Sequence, residues 1–310
     1  MSNIAIRTEK LTRDFGQIRA VDDLSLEIPA GIVFGFLGPN GSGKTTTIRL
    51  LLGLLDPARG RAEVFGLDTR TRADEIRERC GALLEHAGLY ERLSAEDNLE
   101  FYGRIWRLSA ADRKARTKEL LTHLGLWERR GEKVAGWSRG MKQKLAVARS
   151  LLHRPSLIFL DEPTAGLDPM AAAALRDDLL SLAVREGVTI FLTTHNLTEA
   201  EKLCALVGVI RAGRLLAVGR PDQLQAKAGG HQAVILGRGF SERALASLRE
   251  RTEVAAATLQ DGRLVIDLNR EVEIAPLIGL LVNSGAQVEE ARKGKASLEE
   301  VFMSLMEEEK

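Results

Sequence analysis

The sequence contains two cysteines in 310 residues, Cys80 and Cys204. They stand far apart, with no metal-site or redox spacing, and are expected to be reduced thiols in a core. The N-terminal stretch MSNIAIRTEK lacks the apolar centre of a signal peptide. The longest apolar runs are IVFGFLG (32–38) and PLIGLLV (276–282), far short of the roughly 20 residues that cross a bilayer. The chain is therefore expected to be cytoplasmic, and any work at a membrane would need a partner that spans it. Formal net charge is +1, so no global basic field points to nucleic acid as a partner. Internal repeats and low-complexity segments are also lacking.

What is present is material for a sizeable core. Hydrophobic residues make up 45% and charged residues 28%, an ordinary globular balance, and the length suits one large domain or two modest ones. Over residues 1–220, short β-rich runs alternate with helical patterns. Strands are predicted at IAIRTEK (4–10), LSLEI (24–28), IVFGFLG (32–38), SLIFLDE (156–162), VTIFLTT (188–194) and ALVGVI (205–210). Helices are predicted over 43–55, 96–107, 109–124, 138–152, 170–186 and 197–204. Nearly continuous apolar strands between helices imply a mostly parallel α/β sheet. GRLLAVGRPDQLQAKAGG (213–230) closes that pattern with a strand, a short helix after Pro221 and a Gly-Gly break. The boundary is placed there, giving residues 1–230 and 231–310. The second part alternates short strands and helices and reads as a small α+β domain without a chemical motif.

Residues 38–45 read GPNGSGKT, which matches G-x-x-x-x-G-K-[ST] between a predicted strand and a predicted helix. Glycines let the backbone curl and aim its N–H groups at phosphate. Lys44 brings a mobile cation to the β- and γ-phosphates, and Thr45 brings a hydroxyl to Mg²⁺. Gly38, Asn40, Gly41, Ser42, Gly43, Lys44, Thr45 and Thr46 form the candidate triphosphate-binding set. LIFLDE (157–162) is an apolar strand that ends in two carboxylates at the sheet edge where ligands bind. Asp161 is expected to orient Mg²⁺, and Glu162 to polarise an attacking water.

A second anion-facing helix start lies in VAGWSRGMKQKLAVAR (134–149), with Ser138 at the N-cap. Each site has its own helix start, so this one is not expected to reach the phosphates over Lys44. The simplest resolution is that it caps a nucleotide on a second chain.

At this point the residues resemble the ATP-binding cassette (ABC) ATPases. The family signature LSGGQ corresponds to WSRGM (137–141), with Ser138 and Gly140 kept and Trp137, Arg139 and Met141 departing from the common form. Phe15 stands where the family stacks an aromatic on adenine. AGLD (165–168) matches the loop along the family's dimer seam, and TTH (193–195) places His195 as the switch histidine. Glu85 takes the position of the family's metal-touching glutamine, keeping an oxygen for Mg²⁺ but adding a charge. The resemblance covers about residues 3–228. It implies an α/β P-loop cassette with a mainly parallel core sheet, an antiparallel β subdomain and a helical lobe, followed by the small α+β domain. It also implies a head-to-tail homodimer around two ATP, hydrolysing ATP at the inner face of the cell membrane. That dimer would drive export of drugs, antibiotics or lipid-linked material through separate multi-span permease subunits, with no nucleic acid expected. The alternative is a soluble ABC ATPase acting on DNA or the ribosome. Such forms show a coiled-coil insertion or two cassettes, and neither is present here.

Overall fold

A computed structural model describes residues 4–228, 231–260, 263–270, 272–294 and 297–307. The chain divides into two compact units, Met1–Val218 and Gly219–Lys310.

In the first unit, β1 (Ile4–Phe15) and β2 (Ile18–Pro29) form a long antiparallel hairpin. Its two-residue turn places Gly16 at φ +58°, which a side chain would oppose. The chain then passes through β3 (Val33–Leu37) and α1 (Lys44–Leu51). β4 (Arg59–Val64) and β5 (Leu67–Asp68) return to the hairpin and complete a sheet in the order β2-β1-β4-β5. This is the antiparallel β subdomain. Next come α2 (Ala73–Arg79) and β6 (Cys80–Leu83). The sequence did not reveal β4, β5, α2 or β6. RGRAEV opens with three exposed residues and CGAL is four residues long, so neither carries a readable period.

A helical lobe follows: α3 (Ala95–Ile105), α4 (Ala110–His123) and α5 (Arg139–Leu151). Ser94 and Ser109 cap the first two, each accepting from the amide of an aspartate three residues on. Each hydroxyl also donates to that aspartate's carboxylate at 2.6 Å. The reciprocal arrangement fixes where both helices begin.

The remaining elements of this unit are β7 (Leu157–Asp161), α6 (Pro169–Glu186), β8 (Thr189–Thr194), α7 (Leu197–Leu203), β9 (Leu206–Arg211) and β10 (Arg214–Gly219). They build a six-stranded sheet in the order β10-β9-β3-β8-β7-β6. The five strands from β9 to β6 run parallel. β3, β7 and β8 are buried at every position, as expected of strands covered on both faces. Phe191 lies at the centre of this core, with the rings of Phe34, Phe36 and Phe159 at 5.3, 5.5 and 5.5 Å. Cys80 and Cys204 are free and buried, and burial pushes both thiols up to about 12. In the sheet register, Asp161 pairs with Thr193 and Leu37 with Thr194. The three segments that leave β3, β7 and β8 therefore emerge at one edge.

The second unit opens with α8 (Pro221–Ala228), which packs against α11 (Leu298–Glu307) at the far end of the chain. Between them run β11 (His231–Arg238), α9 (Glu242–Arg249), β12 (Val254–Gln260), β13 (Arg263–Leu268), α10 (Ala275–Asn283) and β14 (Gln287–Gly294). The βαββαβ order and the antiparallel sheet β12-β13-β11-β14 give a ferredoxin-like plan. Its core includes Ile235, Leu248, Leu264, Ile266 and Leu281. Gly229 and Gly230, where the sequence places the boundary, lie outside the described residues. The compact division falls earlier, ahead of α8, because that helix packs with α11.

Candidate nucleotide-binding site

The loop between β3 and α1 closes on backbone that leaves no room for side chains. A Cβ on Gly43 would stand 2.3 Å from the Ala20 carbonyl oxygen, and one on Gly38 would stand 2.4 Å from that of Ile210. Gly43 also takes φ +105° as the N-cap of α1. Inside the curl, Lys44 is 6% exposed. Its Nζ donates to the carbonyls of Gly38 at 2.7 Å and Pro39 at 3.1 Å. The ammonium thus folds back over its own loop. Ser42 Oγ is buried there with no hydrogen-bond partner among the described residues.

Two carboxylates face this loop from the end of β7. Asp161 is held at both oxygens: Thr45 Oγ1 donates to Oδ2 and Thr193 Oγ1 donates to Oδ1, each at 2.6 Å. Glu162 takes φ +52°, a left-handed turn that costs a non-glycine residue about 1–2 kcal/mol. Its amide is pinned by Thr193, donating to the hydroxyl at 3.0 Å and to the carbonyl at 3.1 Å. Its Oε2 lies 2.5 Å from His195 Nδ1. Its Oε1 has no hydrogen-bond partner among the described residues and faces Lys44 Nζ at 3.4 Å.

Asn40, Gly41, Gly43, Lys44, Thr45, Thr46, Glu85, Asp161 and Glu162 line one cleft of about 430 Å³. Gly38 and Ser42 are buried in the fold of the same loop. Phe15 is not on the cleft; it is 44% exposed at the hairpin tip, with the Arg13 guanidinium 4.8 Å from its ring centroid. Ser138 caps α5, accepting from the Met141 amide at 3.3 Å, and neither it nor Gly140 lines the cleft. His195 borders a neighbouring depression formed by the loop Thr164–Leu167.

The sequence reading keeps the start of α5 from easily reaching the γ-phosphate over Lys44, yet Arg139 and Gln143 line the cleft. Sequence reasoning also missed the role of Thr193, which organises both carboxylates. Its signal was its place in the strand-end TTH.

A model of the family described as ABC transporter matches residues 21–165. The chain is 37% identical to the daunorubicin resistance ATP-binding protein DrrA3 of Streptomyces coeruleorubidus, over 98% of this chain and 96% of that one. The chain belongs to the ABC transporter family. It is 41% identical to the bacitracin transport ATP-binding protein BcrA of Bacillus licheniformis, over 70% of this chain and 69% of the relative. A solved ATP-binding subunit of an ABC transporter superposes with a TM-score of 0.65 at 30% identity, covering 72% of this chain and 92% of that one. The cbiO1 subunit from Clostridium perfringens superposes at 0.68 with 26% identity, over 73% and 92%.

This ABC ATPase is thus the subunit of a transporter that binds ATP and hydrolyses it to power transport. The alternative of an ATPase acting on DNA or the ribosome is set aside, because these relatives are named for resistance and transport. Among the described residues no helix is long and apolar enough to cross a membrane.

Proposed function

We propose that the chain works as a head-to-tail homodimer that sandwiches two ATP and drives export through separate membrane-spanning subunits. One observation carries this reading. A complete triphosphate loop lies on the cleft, while Ser138 and Gly140 at the start of α5 do not line it, although Arg139 between them does. A second copy would present that helix start to the first copy's nucleotide. Export follows from the relatives named for daunorubicin resistance and bacitracin transport.

The roles follow from the contacts. Lys44 exchanges the Gly38 and Pro39 carbonyls for the β- and γ-phosphates. Glu162 acts as the base: its Oε1 is free of hydrogen bonds, and His195 holds the other oxygen. Mg²⁺, when bound, would neutralise phosphate charge. Thr45, Asp161 and Glu85 are the residues that would hold it. A hydroxyl and few carboxylates suit an ion whose other ligands are phosphate and water. Glu85 is exposed on the cleft, where its carboxylate would reach a bound metal by turning inward. Phe15 is open for stacking on adenine. Contacts from Ser138, the Gly140 backbone and His195 to the γ-phosphate are worth about 1.5–3 kcal/mol each. Losing two on hydrolysis shifts dimerisation by about two to four orders of magnitude, so ATP closes the dimer and ADP opens it.

The membrane partner is proposed to dock beside α3. Tyr90, Phe101 and Ile105 are exposed there, and Leu89 and Leu93 flank them. The Tyr90 and Phe101 rings meet edge-on at 4.8 Å. Asn98 holds the Tyr90 backbone through both its amide and its carbonyl, at 2.8 and 3.0 Å. The subunit would then sit peripherally on the inner face of the membrane, with residues beyond α8 as an accessory domain.

Glu162→Gln should bind ATP, lose turnover and give a stable dimer by sizing in ATP and Mg²⁺. Adding Ser138→Arg should return it to monomer with ATP affinity nearly intact. A full dimer of the double variant would remove the second-site argument.

A further inference from the structure

The first turn of α5 divides its residues between two directions. Ser138 and Gly140 are off the cleft, but Arg139 lines it together with Lys44, Thr45 and Glu162 of the same chain. The Arg139 guanidinium lies against Gly166, in the loop that follows Glu162. A Cβ on Gly166 would stand 2.1 Å from Nη1 and 2.5 Å from Cζ. Gly166 also takes φ +69°, so this loop is shaped to leave room for the guanidinium. Across the cleft, Glu85 is exposed. Among the described residues, neither the Arg139 nor the Glu85 side chain has a hydrogen bond or ion pair.

Charge shows what the arrangement can do. The cleft lining carries Lys44 and Arg139 against Glu85, Asp161 and Glu162. Without Arg139, Lys44 would be the one cationic side chain on the lining against three carboxylates, leaving bound Mg²⁺ alone to offset the excess negative charge. Glu85 and Arg139 are also two positions where this chain replaces an uncharged residue of the ABC pattern. They have opposite signs and face one cleft.

We propose that Arg139 is a nucleotide-binding residue in cis: it contacts the triphosphate on its own chain's loop and offsets the charge that Glu85 brings there. The inference rests on the reading of this cleft as the triphosphate site. Ser138 remains directed away from it, so one helix turn serves two nucleotides, its own through a side chain and the partner's through its cap.

The test is the affinity of the full-length chain for a non-hydrolysable ATP analogue with Mg²⁺, at dilutions where sedimentation shows monomer. Arg139→Gln keeps the helix and removes the charge. It should weaken binding about ten- to a hundredfold, the loss expected for a charged contact to phosphate. Arg139→Lys should recover most of that loss. Adding Glu85→Gln to Arg139→Gln should recover part of it, because the uncompensated carboxylate is gone. Unchanged monomer affinity in Arg139→Gln, with binding abolished by Lys44→Ala, would overturn the proposal and leave the cleft reading intact. A loss confined to concentrations where ATP dimerises the chain would also overturn it, because Arg139 would then serve the partner's nucleotide. Normal binding by Lys44→Ala would instead bring down the cleft reading itself.

Discussion

Thr193 has one hydroxyl and two duties. It donates to Asp161 Oδ1 and accepts from the Glu162 amide, so it sets the aim of both carboxylates without carrying charge. Thr193→Val keeps the shape and removes both contacts. It should cost about 1–2 kcal/mol of stability and lower turnover, with more Mg²⁺ needed for half-maximal hydrolysis. Steady-state ATPase assays over a Mg²⁺ series would read this, and an unchanged Mg²⁺ midpoint would count against the role. Gly38, Gly43 and Lys44 were legible in the sequence because a phosphate loop makes local demands on residue type and spacing. Thr193 was not, because its contact with Asp161 is created by the pairing of β7 with β8. His153 was equally hidden. It stacks on Trp106 at 3.8 Å and 9°, and its Nε2 bonds to the Cys80 carbonyl at 3.1 Å. Burial pushes its pKa down to about 4. The unfolded state, near 6.5, therefore takes up the proton first as pH falls. The neutral ring's contribution is complete above about pH 6.5 and is lost as pH drops through about 4, to a total of about 3 kcal/mol or less. Urea unfolding at about pH 7.5 and about pH 5 should show that loss, and His153→Phe should flatten it.

Between elements, a buried cation from the middle of α4 joins that helix to the ends of α5 and α6. Arg116 is 2% exposed. It donates to the Glu186 carboxylate at 2.7 and 2.6 Å and to the Leu151 carbonyl at 2.9 Å. Burial disfavours charge on both partners, yet Arg116 and Arg185 hold the Glu186 carboxyl below its ordinary range. Arg116→Ala strips Glu186 of its main partner and should cost about 3–5 kcal/mol, whereas Arg116→Met with Glu186→Leu should cost much less. Urea midpoints of the three proteins would decide it, and equal losses would show that packing rather than charge joins the helices. Helices α3 to α7 were readable from the sequence to within a few residues, because their apolar periods and caps are local. The short strands β4, β5 and β6 were not, since each is defined by the strand it pairs with.

At the scale of the molecule, the helix after Pro221 was readable but its allegiance was not. α8 packs against α11, which lies at the other end of the second unit. A chain ending at Arg220 should bind ATP like the full protein. One ending at Gly230 keeps α8 without its partner and should be less monodisperse, with Leu224, otherwise 4% exposed, losing cover. Nucleotide titration and light scattering on the two truncations would test this, and equal monodispersity would mean that α11 is not what covers the helix.

The position of β3 also bears on how the protein is made. This strand leads into the phosphate loop, yet its neighbours in the sheet are β8 and β9, which leave the ribosome after the entire helical lobe. Until then the nascent chain carries GPNGSGKT on a strand with both edges open and five apolar residues uncovered. ATP cannot rescue that intermediate, because the carboxylates and Thr193 that complete its site have not yet been placed. A product stalled within α6 would contain the most recognisable motif of the protein and still bind no nucleotide. Such a chain should expose aggregation-prone apolar surface through most of its synthesis. Its nucleotide competence should appear late and abruptly, when β8 slots between β3 and β7.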